Sequence, residues 1–103
     1  MEKERKRLKI ILEKNEVKQL LQTLRVLCGP MRFRILMALK YLGQNGLTVT
    51  NIALILNASP SRISHQLKIL KDYKLVEIKK KNREVWYTLT DHRAEKYLSD
   101  IGI

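Results

Sequence analysis

The chain has 103 residues, room for one small domain with one core. Hydrophobic residues make up 45% of it, which excludes a disordered chain. Twenty-one Lys and Arg against ten Asp and Glu leave a net charge of +11, which points to a polyanionic partner, nucleic acid before anionic membrane. One cysteine excludes an internal disulfide and a cysteine-based metal cluster, and fits a reducing compartment. No apolar run is long enough to span a bilayer, and the N-terminus lacks the features of a secretory signal. The chain therefore reads as cytoplasmic, without internal repeats or an interdomain linker.

Residues 3–27 contain no Pro or Gly. Leu8, Ile11, Leu12, Val17, Leu20, Leu21, Leu24 and Leu27 recur mostly at three- and four-residue steps, which predicts one long amphipathic helix. A helix of that length overhangs a small core. Its stripe either packs on its own domain or pairs with a second copy, for which Leu8, Ile11, Leu12, Leu20 and Leu24 are the candidates. The basic start (Lys3, Arg5, Lys6, Arg7, Lys9) is interrupted by Glu2 and Glu4, so phosphate contact and a merely solvated end both stay open.

Cys28, Gly29 and Pro30 end that helix and begin the next, with Gly29 suited to a left-handed stop and Pro30 to the first helical position. The second helix covers 31–42 with Ile35, Leu36, Leu39 and Leu42 inward. Residues 43–46 (GQNG) form a turn. A third helix spans 49–56, capped by Thr48, with Ile52, Ala53 and Leu56 buried. Asn57 and Ala58 link it tightly to a fourth. There Ser59 fits the N-cap and Pro60 the first position, while Ile63, Leu67 and Leu70 at i, i+4 and i+7 form one apolar stripe. Its other side carries Ser61, Arg62, Ser64, His65, Gln66, Lys68 and Lys71, with no acid. Two short helices joined this closely make a helix-turn-helix over 48–71. An apolar back and an acid-free front suit the major groove of DNA; an ordinary solvated basic face is the plainer reading of the same helix.

The period then changes. Residues 75–79 and 85–89 alternate and are rich in β-branched and aromatic types, so 75–89 reads as a two-stranded hairpin with a polar tip at 80–84. Lys79, Lys80, Lys81, Asn82 and Arg83 make that tip basic, for phosphate contact or for solubility. A last helix covers 91–101 with Ala94, Tyr97, Leu98 and Ile101 on its apolar face; Tyr97, Leu98 and Ile101 join the candidates for a dimer contact. The fold class is mainly α with a small β-hairpin, one domain over 1–103, in the order α-α-α-α-β-β-α: a winged helix-turn-helix.

Three strings strengthen this. VLCGPMRFRIL, ASPSRISHQLKILKDYKLVE and KNREVWYTLT resemble, in order and spacing, the second-helix, recognition-helix and wing-strand signatures of the ArsR/SmtB family of small repressors. The resemblance covers residues 27–90. It implies a repressor. Charge and geometry add the expectation that two copies pair through the first and last helices, present one recognition helix to each half of an inverted repeat, and block polymerase. The chain departs from the family pattern at four positions. Gln66 stands where His is common, Arg62 where a small residue is usual, Pro60 where a polar one is usual, and Lys74 in place of Gly before the wing.

The family's metal-sensing patterns are missing. The third helix has no cysteine pair, Asp91 and His92 sit side by side without further ligands, and Cys28 is alone. That points away from a metal sensor and implies no cofactor, although a site shared across a dimer stays open. His65 reads as a DNA donor and His92 as a surface residue. Cys28 is either a small buried hydrophobe or a thiol sensor. There is no catalytic constellation or Gly-rich phosphate loop, so an enzyme is not expected. Ser59, Ser61, Arg62, Ser64, His65, Gln66 and Lys68 on the helix, with 79–83 on the wing, are the candidate duplex-DNA contacts. A winged-helix module for RNA or protein is the alternative, and a membrane-surface role for the first helix is third.

Overall fold

The computed structural model describes residues 1–90, 96, 99, 100 and 102. The N-terminal apolar pattern folds into two helices, α1 (Glu2–Leu12) and α2 (Asn15–Leu27), not one. Lys14 is extended, at φ −66° and ψ 140°, where α2 begins. The phase of the stripe accounts for the break. Leu12 and Val17 are five positions apart, a turn of roughly 140° on a continuous helix. A single helix could not hold Leu8, Ile11 and Leu12 on the same side as Val17, Leu20 and Leu24. The interruption falls between the two stripes.

α3 (Pro30–Leu42) starts on Pro30, as expected, but Gly29 is not a left-handed stop. It is extended, at φ −73° and ψ 118°, and serves as the N-cap of α3. α3 buries Met31, Ile35, Leu36, Ala38 and Leu39. Leu42, expected inward, is 61% exposed. It is the last residue of α3, and the space beside Gly43 is taken by Leu47, which lies close to where a Cβ on Gly43 would sit.

α4 (Val49–Leu56) is fixed at its start by a reciprocal capping box. Asn51 N donates to Thr48 Oγ1 and Thr48 N to Asn51 Oδ1, both at 3.1 Å. It ends in a Schellman turn around Asn57, which is left-handed at φ 53°, with Ala58 N donating to Ala53 O at 3.0 Å. That turn leads directly into α5 (Pro60–Asp72). Here Ser59 Oγ accepts from Arg62 N at 3.2 Å and Pro60 occupies the first turn. α5 closes on the same device as α4. Leu75 N donates to Leu70 O and Lys74 N to Lys71 O, both at 2.9 Å, with Lys74 left-handed at φ 60°.

β1 (Val76–Lys81) and β2 (Glu84–Leu89) pair antiparallel, in a register from Val76 opposite Leu89 to Lys81 opposite Glu84. The tip is therefore shorter than the five residues expected. Only Asn82 and Arg83 lie outside the strands, at φ 50° and 70°, the arrangement of a type I′ turn. Leu47 adds a bridge to Tyr87 through two backbone hydrogen bonds of 2.9 and 2.8 Å. Gly46, at φ 92°, turns the chain into that bridge where a Cβ would crowd the Tyr87 carbonyl.

The core lies where α3, α4, α5 and the base of the hairpin meet. Ile35, Leu36, Ile52, Ile63, Leu67 and Leu70 are fully buried in it, and Val26, Leu39, Leu75 and Val76 surround them. Leu56 is partly buried against this cluster. α1 buries nothing. Of the expected last helix, Lys96, Ser99 and Asp100 are helical, and Lys40 Nζ donates to Ser99 Oγ at 3.4 Å. Asp91, His92, Ala94, Tyr97, Leu98 and Ile101 lie outside the described residues.

Lys74 holds a conformation that a Cβ disfavours. Lys74→Gly is expected to raise the free energy of unfolding by about 0.5–1 kcal/mol, read as a higher urea midpoint at unchanged slope. Lys74→Ala, which keeps the Cβ, should give no such gain.

Candidate nucleic-acid interface

Ile63, Leu67 and Leu70 face the core at 0% exposure, so the rest of α5 is turned outward. Ser59, Ser61, Arg62, Ser64, His65 and Lys68 are all exposed. Helical spacing divides them into two flanks. Ser61, Ser64, His65 and Lys68 share one, and Arg62 lies on the other with Gln66. Asp72, at the end of α5, is the first acid on this helix. Ser59 is where the sequence placed it, with its hydroxyl engaged as the N-cap.

Gln66 differs from its neighbours. It is half-buried, and its Oε1 accepts from Arg32 Nη1 at 3.2 Å. The oxygen that a bidentate adenine contact requires is thus committed to α3, which leaves Gln66 its amide N–H groups for a partner. Nothing in spacing or composition marks Arg32 as part of this surface. Its Nε also donates to Val26 O at 2.9 Å, so its guanidinium joins α2 and α5.

On the hairpin, Lys79, Lys80 and Lys81 are strand residues, not tip residues, and all are exposed. Strand alternation puts Lys79 and Lys81 on the face of Trp86 and Glu84, and Lys80 on the opposite face, further out than Tyr87 and Leu89. Lys81 lies directly across from Glu84, which dilutes its charge. Asn82 and Arg83 form the exposed apex. The cations expected at one tip are therefore shared between two faces and an apex.

The ion pairs among the described residues are Met1 with Glu4 and Arg5 with Glu2, both on α1. Arg62, Lys68, Lys79, Lys80, Lys81 and Arg83 form no ion pair within the chain among those residues. Outward cations without internal partners are an electrostatic footprint for phosphates.

A second surface is apolar. Leu8, Ile11, Leu12, Leu20 and Leu24 are 55%, 47%, 48%, 39% and 47% exposed. Ile10 and Leu21, outside the set predicted for pairing, are exposed as well. Cys28 is exposed, so it is not the buried hydrophobe that one reading expected. His65 stands on the outer side of α5. Among the described residues, no group of three or more His, Cys, Asp or Glu side chains is placed to hold a metal ion. No helix among them is long and apolar enough to cross a membrane.

Comparison with known proteins bears on this arrangement. Residues 29–77 match the arsR family of bacterial regulatory proteins, a span running from the α3 cap into β1. The chain is 29% identical over 92 residues to a transcriptional repressor SmtB homolog of Synechocystis, covering 89% of this chain and 67% of the relative. It is 32% identical over 90 residues to the HTH-type transcriptional regulator NmtR of Mycobacterium tuberculosis, covering 86% of this chain and 72% of that one. Among solved structures, the homodimeric winged helix-turn-helix DNA-binding domain of Mb0332 from Mycobacterium bovis superposes with a TM-score of 0.73. It is 21% identical and covers 82% of this chain and 76% of that one, a likeness of fold. A recognition helix with an outward acid-free face, a hairpin wing and these relatives agree. The chain belongs to the ArsR/SmtB family and is a DNA-binding transcriptional regulator of winged-helix fold.

Proposed function

We propose that the chain is a repressor that binds an inverted-repeat duplex site as a homodimer. The observation that carries this reading is the set of outward cations on α5 and the wing that form no ion pair among the described residues. α5 enters the major groove, with Ser61, Arg62 and His65 at base edges and the amide N–H of Gln66 beside them. Lys68, Lys79, Lys80, Lys81 and Arg83 hold phosphates, with Asn82 at the apex. Pairing uses the apolar stripes of α1 and α2. The homodimeric state of the Mb0332 domain and the repressor role of the SmtB homolog support both halves of the reading. Bound across a promoter in the cytoplasm, such a dimer excludes polymerase.

Selection from a random duplex pool tests this. The expected product is one motif with two inverted halves, spaced about one helical turn or a small multiple apart. No enrichment, or equal competition by duplex RNA at the same salt, would sink the operator reading. Arg62→Ala is expected to weaken the selected duplex by about 5- to 150-fold, the 1–3 kcal/mol of a base contact, while random duplex changes less than about twofold. Equal losses would reduce Arg62 to a phosphate contact. Lys79→Ala should instead weaken both duplexes alike and lower the slope of log K against log salt by about one. Leu12→Glu should give a monomer in sedimentation and abolish binding to the paired site; an intact dimer would place the contact elsewhere.

A further inference from the structure

The apolar back of α5 sets how deeply that helix sits, but burial is non-directional. Ile63, Leu67 and Leu70 resist displacement through packing, without a bond that names one angle for the helix. Base reading does not tolerate small rotations and slides, because a reading side chain has to be held to about half an ångström and 10–20°. Something directional has to hold the helix. Among the described residues, one side-chain hydrogen bond ties the body of α5 to the rest of the domain: Arg32 Nη1 to Gln66 Oε1 at 3.2 Å.

The other end of that link is the last turn of α2. Arg32 Nε donates to Val26 O at 2.9 Å, a carbonyl at the helix C-terminus that also accepts from Gly29 N at 3.2 Å. A cation is favoured at that end of a helix dipole, and the planar guanidinium can reach both acceptors at once. Gly29 makes the arrangement possible. Its φ of −73° suits any residue, so the backbone does not require glycine there. The side chain of Arg32 does. A Cβ on Gly29 would lie 2.4 Å from both Cζ and Nη2 of Arg32 and 2.7 Å from Nε.

We propose that Arg32 is a positioning residue for sequence reading, seated in the gap left by Gly29, which fixes the angle of α5 through Gln66 against the end of α2. The inference rests on the DNA-reading role proposed above. It extends that role to residues that touch no DNA, and it links the reading helix to a helix carrying part of the exposed pairing stripe.

Gly29→Ala is the informative variant. It removes no charge and no hydrogen-bonding group, and the atoms in its way are the end of a flexible side chain, so the fold is kept while the guanidinium is displaced. Arg32→Lys keeps the charge but replaces the fork with a single point. Each variant and the double variant are titrated with the selected duplex and with a random duplex of equal length. Amide hydrogen exchange of α5 is followed without DNA. Each single variant is expected to lose tenfold or more on the selected duplex and less than twofold on the random one. Exchange in α5 should be several-fold faster, at an unchanged circular dichroism spectrum. The double variant should lose no more than Arg32→Lys alone, since both act through one link. Equal losses on the two duplexes, or no loss on either, would overturn the proposal. If the wild-type chain itself shows no preference between duplexes, the operator reading fails instead. The brace is then judged on exchange alone, and unchanged protection of α5 would end it.

Discussion

Burial of three side chains on one side of α5 is the constraint from which the rest follows. Ile63, Leu67 and Leu70 have no exposed surface, and each contributes roughly 1.5–3 kcal/mol by leaving water. Turning α5 over would expose them and bury Arg62, His65 and Lys68, charged or polar groups for which the core offers no partners. The orientation of the outward face is thus decided by the core and not by any ligand. α3 and α4 supply the other wall through Ile35, Leu36 and Ile52.

Charge is distributed to match. Among the described residues, the acids that form ion pairs sit on α1, far in sequence from the helix-turn-helix, and those pairs are exposed and contribute little to stability. The α5 and wing cations are left to solvent. Self-repulsion at a net charge of +11 disfavours the compact state, and a phosphate backbone offsets that repulsion on binding. The same charge distribution that costs stability in the free chain therefore favours the complex.

The helix-turn-helix was legible because its signals are local. Thr48, Ser59 and Pro60 cap adjacent helices, and the i, i+4, i+7 stripe of α5 needs no knowledge of what it packs on. The break between α1 and α2 was also present, as a phase shift between Leu12 and Val17, but counting apolar residues without following their phase concealed it. The Leu47 bridge to Tyr87 and the Arg32 bond to Gln66 join residues 40 and 34 positions apart, respectively, and leave no local trace. The short tip was hidden for another reason. Arg83 accepts a left-handed backbone that composition assigns to glycine, so a longer loop was expected. Leu42 fits the stripe of α3, and nothing local marks that the last residue of that helix stays on the surface.

The arm is anchored at its base, where Val76 is buried, and this limits how it can vary. Side chains on a strand alternate, so residues added beyond Lys81 leave each lysine on its own face. One extra residue in β1 before Lys79 would exchange the faces of Lys80 and of Lys79 with Lys81, or else force a bulge to absorb it. Two extra residues would lengthen the arm and keep each lysine on its own side. Length changes on the base side of the lysines are therefore tolerated in even steps, while odd ones reverse the face on which the charges lie.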